Sequence, residues 1–250
     1  MEITDDLGRT LSFEKKPNRI VSLVPSLTKT LIDLGGIDKL VGVTNFCKLP
    51  NQNTQAVRLG GPKKIKTEEL KRLGPDVVLA VKEENSRDQV ETFAQWFKVV
   101  VFDIISVKDA LSMIHTLALL LDNVKTGDHF ISLFHEEIQS LPVKKREKSV
   151  YLVWKDPWMA AGLETFISSM MKIAGFENMI PGRYPTIDIE LIEKAENILL
   201  STEPFPFTEE HVRFFKTLFA QKNVFLVDGE MFSWYGTKMI EAVKYFKSKF

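Results

Sequence analysis

The side chains here that most readily ligate a metal or carry nucleophilic and acid–base chemistry are four histidines (His115, His129, His135 and His211) and one cysteine, Cys47. Their spacing suits neither task. No HExxH, HxH or Cys/His arrangement occurs. His129 and His135 are six residues apart, which sets them on different faces of a helix, so they do not form a ligand pair. The run Gly60-Gly61-Pro62-Lys63-Lys64 has the residue types of a phosphate loop, but not the GxxxxGK[ST] spacing that wraps backbone N–H groups around a phosphate. Neither GxSxG nor GxGxxG is present, so acyl transfer and dinucleotide chemistry have no foothold. Glu83 and Glu84 are the carboxylates an acid–base reaction could recruit, and the Lys82-Glu83-Glu84-Asn85 run reads as a solvated loop. The expectation is a non-enzyme with no catalytic residue, no metal ligand and no cofactor.

The aromatic side chains carry a different pattern. Phe46, Trp154, Trp158, Tyr184, Phe205, Phe207, Trp234 and Tyr235 all fall at or just beyond the ends of β-type runs, or in loops. Open α/β sheets bind ligands outside the carboxyl ends of their strands. A wall of aromatic faces with few charges there fits a large, flat, partly apolar ligand.

The elements that must position these residues alternate. Short β-branched runs at 19–23, 40–43, 76–81, 99–103, 150–154, 197–201 and 224–227 predict strands, and helical spacing recurs between them, as in Leu27/Leu31/Leu34, Val90/Phe93/Ala94/Phe97 and Phe166/Met170/Ile173. Such βαβ alternation predicts an α/β fold with parallel sheets and right-handed crossovers. Four strands precede residue 104 and three follow residue 149, with a helical span between them. One helix is expected over 107–121 and a second from 124 to 141, stopped by Pro142. The division is therefore an N-terminal α/β lobe (1–121), a connecting helix (122–144) and a C-terminal α/β lobe (145–250). An internal echo agrees: Thr67-Glu68-Glu69-Leu70 leads to the strand at 76, and Asp188-Ile189-Glu190-Leu191 leads to the strand at 197.

Composition narrows the partners. Thirty-three Lys+Arg balance 33 Asp+Glu, so no net field draws the molecule to nucleic acid. No apolar run approaches the roughly 18 residues that span a bilayer. The start, MEITDDLGRT, has neither a basic nor an apolar leader region. A periplasmic or lipid-anchored protein is expected if a leader was removed, a cytoplasmic one if the sequence is complete.

RIVSLVPSLTKTL (residues 19–31), LVGVT (40–44) and LGPDVVLA (73–80) resemble the cobalamin and iron-siderophore substrate-binding proteins of ABC importers. AGLETFISSMMKIAGFENMI (161–180), RYPTIDIE (183–190) and SWYG (233–236) look like the second-lobe signatures of that family, and DDLGRT (5–10) resembles the segment that follows the removed leader in relatives. The resemblance implies two Rossmann-like lobes joined by one long inter-lobe helix, with a shallow cleft between them. It further implies a monomer that captures a corrinoid, ferric siderophore or haem without bonding the metal itself, and delivers it to a dimeric transmembrane permease. Phe46, Trp154, Trp158, Tyr184, Trp234 and Tyr235, with the charges of Arg183 and Lys238, would hold the ligand. Glu68 and Glu190, one per lobe, would dock onto permease arginines. The alternative is an intracellular corrinoid- or haem-handling protein, or an enzyme, on the same scaffold. Four positions depart from the family pattern: Lys29 stands where PSxTE, whose Ser (here Ser26) caps the helix, has the Glu that closes the capping box, Pro62 and Val81 stand where cobalamin binders carry aromatics, and Lys238 replaces a frequent Arg.

Overall fold

A computed structural model of the chain describes residues 1–50, 55–143 and 145–250. These fall into two compact units: Met1–Ile104 with Lys108–Leu133 and Tyr235–Lys238, and Ile105–Val107 with Phe134–Trp234 and Met239–Phe250.

The first unit opens with two short antiparallel strands, β1 (Glu2–Thr4) and β2 (Thr10–Ser12). The DDLGRT segment is the turn between them. The buried Asp5 carboxylate accepts from the N–H groups of Leu7 (3.1 Å) and Arg9 (3.0 Å) and from the Arg9 guanidinium, which in turn donates to the Val99 carbonyl (2.8 Å). The main sheet is parallel throughout, in the order β5 (Val57–Arg58), β4 (Leu40–Val43), β3 (Ile20–Ser22), β8 (Val77–Val81), β9 (Val99–Phe102). β8 and β9 are apolar without alternation, because strands of a parallel sheet are covered on both faces, and every residue of both is buried. A two-residue-per-strand hairpin, β6 (Gly60–Gly61) and β7 (Lys64–Ile65), stands apart from it. Three helices intervene between strands: α1 (Pro25–Asp33), α2 (Thr67–Leu73) and α3 (Arg87–Ala94).

Two of the recognised motifs are local folding devices here. In LGPD, Gly74 takes the left-handed conformation that ends α2, and the Asp76 carboxylate accepts the N–H groups of Asn18 (2.7 Å) and Arg19 (2.8 Å), fixing the start of β3. In PSLTK, Ser26 is not the helix cap. The N-cap is Val24, which makes no side-chain bond, and Pro25 supplies the preset φ of a first helical residue. Lys29, in the place of the family's Glu, pairs with Asp33 one turn on (2.9 Å).

The helical span is two helices, α4 (Val107–Leu121) and α5 (Val124–Gln139), broken at Asp122, whose φ is +59°. Residues 124–133 of α5 belong to the first unit and Phe134 onward to the second. The expected end of the connector at residue 144 lies outside the described residues.

In the second unit, β10 (Glu147–Trp154), β13 (Asn197–Ser201) and β14 (Asn223–Val227) are parallel neighbours. The free edge of β10 is shared by β12 (Phe176–Asn178), parallel to its first residues, and β11 (Met159–Ala160), antiparallel to its last. Helices α6 (Phe166–Ile173), α7 (Ile189–Glu193), α8 (Glu209–Leu218), α9 (Glu230–Ser233) and α10 (Lys238–Lys249) complete the chain. Val150, Leu152, Ile198, Leu200, Ile192 and Phe215 form one buried cluster. Elsewhere in this unit Tyr151 packs on Phe232 (5.1 Å between rings) and Phe232 on Phe246 (4.7 Å). Each such fully buried apolar side chain contributes about 1.5–3 kcal/mol.

Candidate functional site

The parallel strands of the second unit deliver their carboxyl ends to one edge of the sheet, and several of the expected ligand residues follow from those ends. Trp154 is the last residue of β10, 41% exposed, and meets Phe205, from the loop after β13, edge-on at 5.7 Å. Trp158 stacks on Phe207 and Phe214, both at 6.3 Å, and borders an open pocket of about 230 Å³ lined also by Lys155, Glu210 and His211. That is smaller than the roughly 300–1,000 Å³ of a site for a whole drug-sized ligand, so this pocket takes at most a ligand edge. The backbone ties Trp158–Gly162 to Arg183–Ile187: Ile187 N–H donates to the Trp158 carbonyl (2.9 Å) and Gly162 N–H to that of Arg183 (2.6 Å). Arg183 and Tyr184, both half-buried, are thereby held beside the Trp158 segment.

Trp234 follows α9, just beyond the end of β14, and is half-buried. Its indole hydrogen-bonds the carboxylate of Glu203, which also accepts from Ser233 Oγ at 2.8 Å. Burial pushes the Glu203 carboxyl above the usual range; the Ser233 bond opposes this, while the charges of Glu230 and Asp228 push the same way. Glu203 sits two residues past β13 in a stretch, STEPFPF, that reads only as a loop, and nothing in the sequence singled it out.

In the first unit, Phe46 lies just past β4 and is 66% exposed. Gly61 of the β6–β7 hairpin passes beneath it; a Cβ there would lie 3.7 Å from the ring. The Gly-Gly-Pro-Lys-Lys run is thus a tight hairpin beside Phe46, with Gly60 at φ +100°. Tyr235 is 6% exposed and packed, and Lys238 is half-buried at the start of α10. Glu68 and Glu190 occupy the second position of α2 and of α7 respectively, and both are exposed, so the echo read from the sequence is also an echo of structure. Glu68 pairs with Lys71 at 3.1 Å. Glu83 is exposed and Glu84 half-buried after β8.

The remaining chemistry-bearing residues have local partners. His211 Nδ1 accepts the Thr208 N–H (3.1 Å) at the start of α8, and His115 lies 3.9 Å from Asp128. Cys47 is buried within 3.2 Å of the Thr28 and Thr44 hydroxyls. Among the described residues, no group of three or more His, Cys, Asp and Glu could hold a metal ion, and no helix is long and apolar enough to cross a membrane.

Comparison with known proteins places this arrangement. A substrate-binding lipoprotein of an ABC transporter from Bacillus subtilis, itself uncharacterised, is 27% identical over 190 residues, which cover 70% of this chain and 60% of that one. A vitamin B12-binding protein of Vibrio parahaemolyticus is 23% identical over 80% of this chain and 76% of its own. In structure, the periplasmic vitamin B12 binding protein of Vibrio cholerae superposes with a TM-score of 0.78 at 17% identity, covering 93% of this chain and 96% of the other, which establishes a shared fold. The sequence profile of the periplasmic binding proteins matches residues 20–201, most of the chain from β3 to the end of β13, and the protein belongs to that family.

Proposed function

We propose that the chain is the substrate-binding component of an ABC importer and that its ligand is a bulky metal complex, either a corrinoid, haem or a ferric siderophore. The observation that carries this reading is the family match across residues 20–201, joined to a sheet edge in the second unit furnished with aromatic faces. The vitamin B12-binding relative from Vibrio gives the corrinoid its weight. Phe46, Trp154, Trp158, Tyr184 and Trp234 would supply apolar contact, and Arg183 and Lys238 would answer carboxylate or phosphate groups of the ligand. Tyr235, being buried, would act by packing. The ligand is held by its periphery and released unchanged, which is binding rather than catalysis.

Glu68 and Glu190 would meet arginines on the two permease subunits. Both are exposed in the first turn of a short helix, so they are accessible and cost little to present. Two separated charge-assisted contacts orient a complex more than they tighten it.

The test is a tryptophan-fluorescence titration with cyanocobalamin, haemin and several ferric siderophores, corrected for ligand absorption. Saturable quenching by one class, weakened in Trp154→Ala or Trp234→Ala, is the expected result. No saturable response to any of them overturns the metal-complex assignment.

A further inference from the structure

We infer that Glu203 is the positioning residue for Trp234: its carboxylate ties down the 228–234 turn at the carboxyl end of the second unit's sheet and fixes the direction in which the indole is presented. The inference deepens the function proposed above and rests on it for the role of Trp234 as a ligand contact.

Three ties join the loop after β13 to the turn after β14. Ser233 Oγ donates to Glu203 Oε1 (2.8 Å), the Trp234 indole donates to the same carboxylate, and Gly229 N–H donates to Thr202 Oγ1 (3.0 Å). The loop is itself anchored from below, where Ser201 Oγ donates to the Glu203 carbonyl (2.6 Å) and accepts from Tyr151 Oη (3.0 Å). The two segments approach so closely that only glycine fits at 229: a Cβ would lie 2.4 Å from Glu203 Cγ and 2.6 Å from Ser201 Oγ. Of the three ties, only the carboxylate reaches the tryptophan. A charged acceptor roughly doubles the strength of such bonds, and it can hold a hydroxyl and an indole together. Nothing about stability asks for a carboxylate here. The charge is half-buried and faces Glu230 and Asp228, like charges that disfavour an anion. An unfavourable charge beside the ligand-contacting aromatic is the mark of a group kept for position.

The consequence is a pH dependence of the indole itself. Replacing Trp96, Trp154 and Trp158 by Phe leaves Trp234 as the sole emitter. Acrylamide quenching of that protein is expected to rise as pH falls through a midpoint above the ordinary glutamate value of about 4.3. The transition should vanish in Glu203→Gln, which keeps one acceptor oxygen without the charge, and quenching in Ser233→Ala should be raised at neutral pH. In the protein with all four tryptophans, Glu203→Gln should weaken cyanocobalamin or haemin binding about tenfold at pH 7, the scale of a lost charge-assisted bond, with no fall in thermal midpoint. A quenching transition that survives in Glu203→Gln, or unchanged affinity for a probe the parent binds, overturns the inference. If the parent binds none of cyanocobalamin, haemin and the ferric siderophores, the metal-complex reading is what has failed, and the quenching profile still decides whether Glu203 holds Trp234. Should Glu203→Gln fail to fold, Ser233→Ala carries both measurements.

Discussion

Replacing Gly236 by alanine should be among the more damaging single-methyl additions in this chain. Gly236 has φ +81°, and a Cβ built there lies 2.0 Å from Thr30 Oγ1 and 3.1 Å from Met113 Cε. Thr30 cannot swing aside cheaply. It is fully buried in α1, donates to the Ser26 carbonyl (2.9 Å) and receives the Thr237 N–H (3.4 Å), while Thr237 Oγ1 donates to Asp33. The left-handed backbone costs an alanine about 1–2 kcal/mol. Forcing a methyl into a filled site costs about 1–3 kcal/mol more, so Gly236→Ala should lose about 2–5 kcal/mol. Urea denaturation followed by circular dichroism measures this, and a double-mutant cycle with Thr30→Ala separates the two contributions. Removing the Thr30 hydroxyl and methyl should relieve the 2.0 Å clash and leave the backbone part with the milder approach to Met113, giving a coupling of about 1–3 kcal/mol. A loss below about 1 kcal/mol, or one that does not change in the Thr30→Ala background, refutes the steric reasoning. The glycine of SWYG would then need another explanation.

Tyr151→Phe removes a buried hydroxyl that donates to Ser201 and should cost about 1 kcal/mol in the same assay; a neutral result would mean the bond contributes nothing net. The raised pKa of Glu203 has a definite sign. Between the unfolded value and the higher folded one, the native state binds more protons than the unfolded state, so this group's contribution to stability falls as pH rises through that window. Thermal midpoints of the parent and Glu203→Gln should therefore diverge from acid toward neutral pH in favour of the variant, and a constant difference across the range would refute the assignment. Glu68→Ala and Glu190→Ala should leave thermal midpoints nearly unchanged, since both side chains are exposed, yet each should reduce ligand-dependent ATP hydrolysis by a reconstituted cognate importer. Full stimulation by the double variant would dismiss the docking role.

The strands that were legible in the sequence are those whose composition has one physical meaning. VVLAV is a continuous apolar run, and NILLS holds three apolar residues in succession, because both faces are covered, and both became fully buried strands. The edge strands β11 and β12 were not legible. Two or three residues long, they have no room for a period, and they exist because β10 offers an open edge. Aromatic residue type could not separate the exposed Phe46 and Trp154 from the buried Phe207 and Tyr235, since all four follow strands or occupy loops and only packing distinguishes them. Glu203 was invisible for a related reason: its partner Ser233 lies 30 residues on, in a different loop. Ser26 looked like a cap by motif, but Pro25 moved the helix start one residue back.

The assignment of Tyr235–Lys238 to the first unit, while Trp234 and Met239 onward belong to the second, bears on how such proteins can recombine. A crossover between two relatives in the loop after α5 would take 235–238 from one parent and Thr30, Asp33 and Met113 from the other. The Gly236–Thr30 contact and the Thr237–Asp33 hydrogen bond would then be assembled from residues that never varied together. Chimeras that exchange specificity through this fold should therefore carry the four-residue segment with the N-terminal parent, as a graft inside the C-terminal half, rather than follow the linear order of the chain.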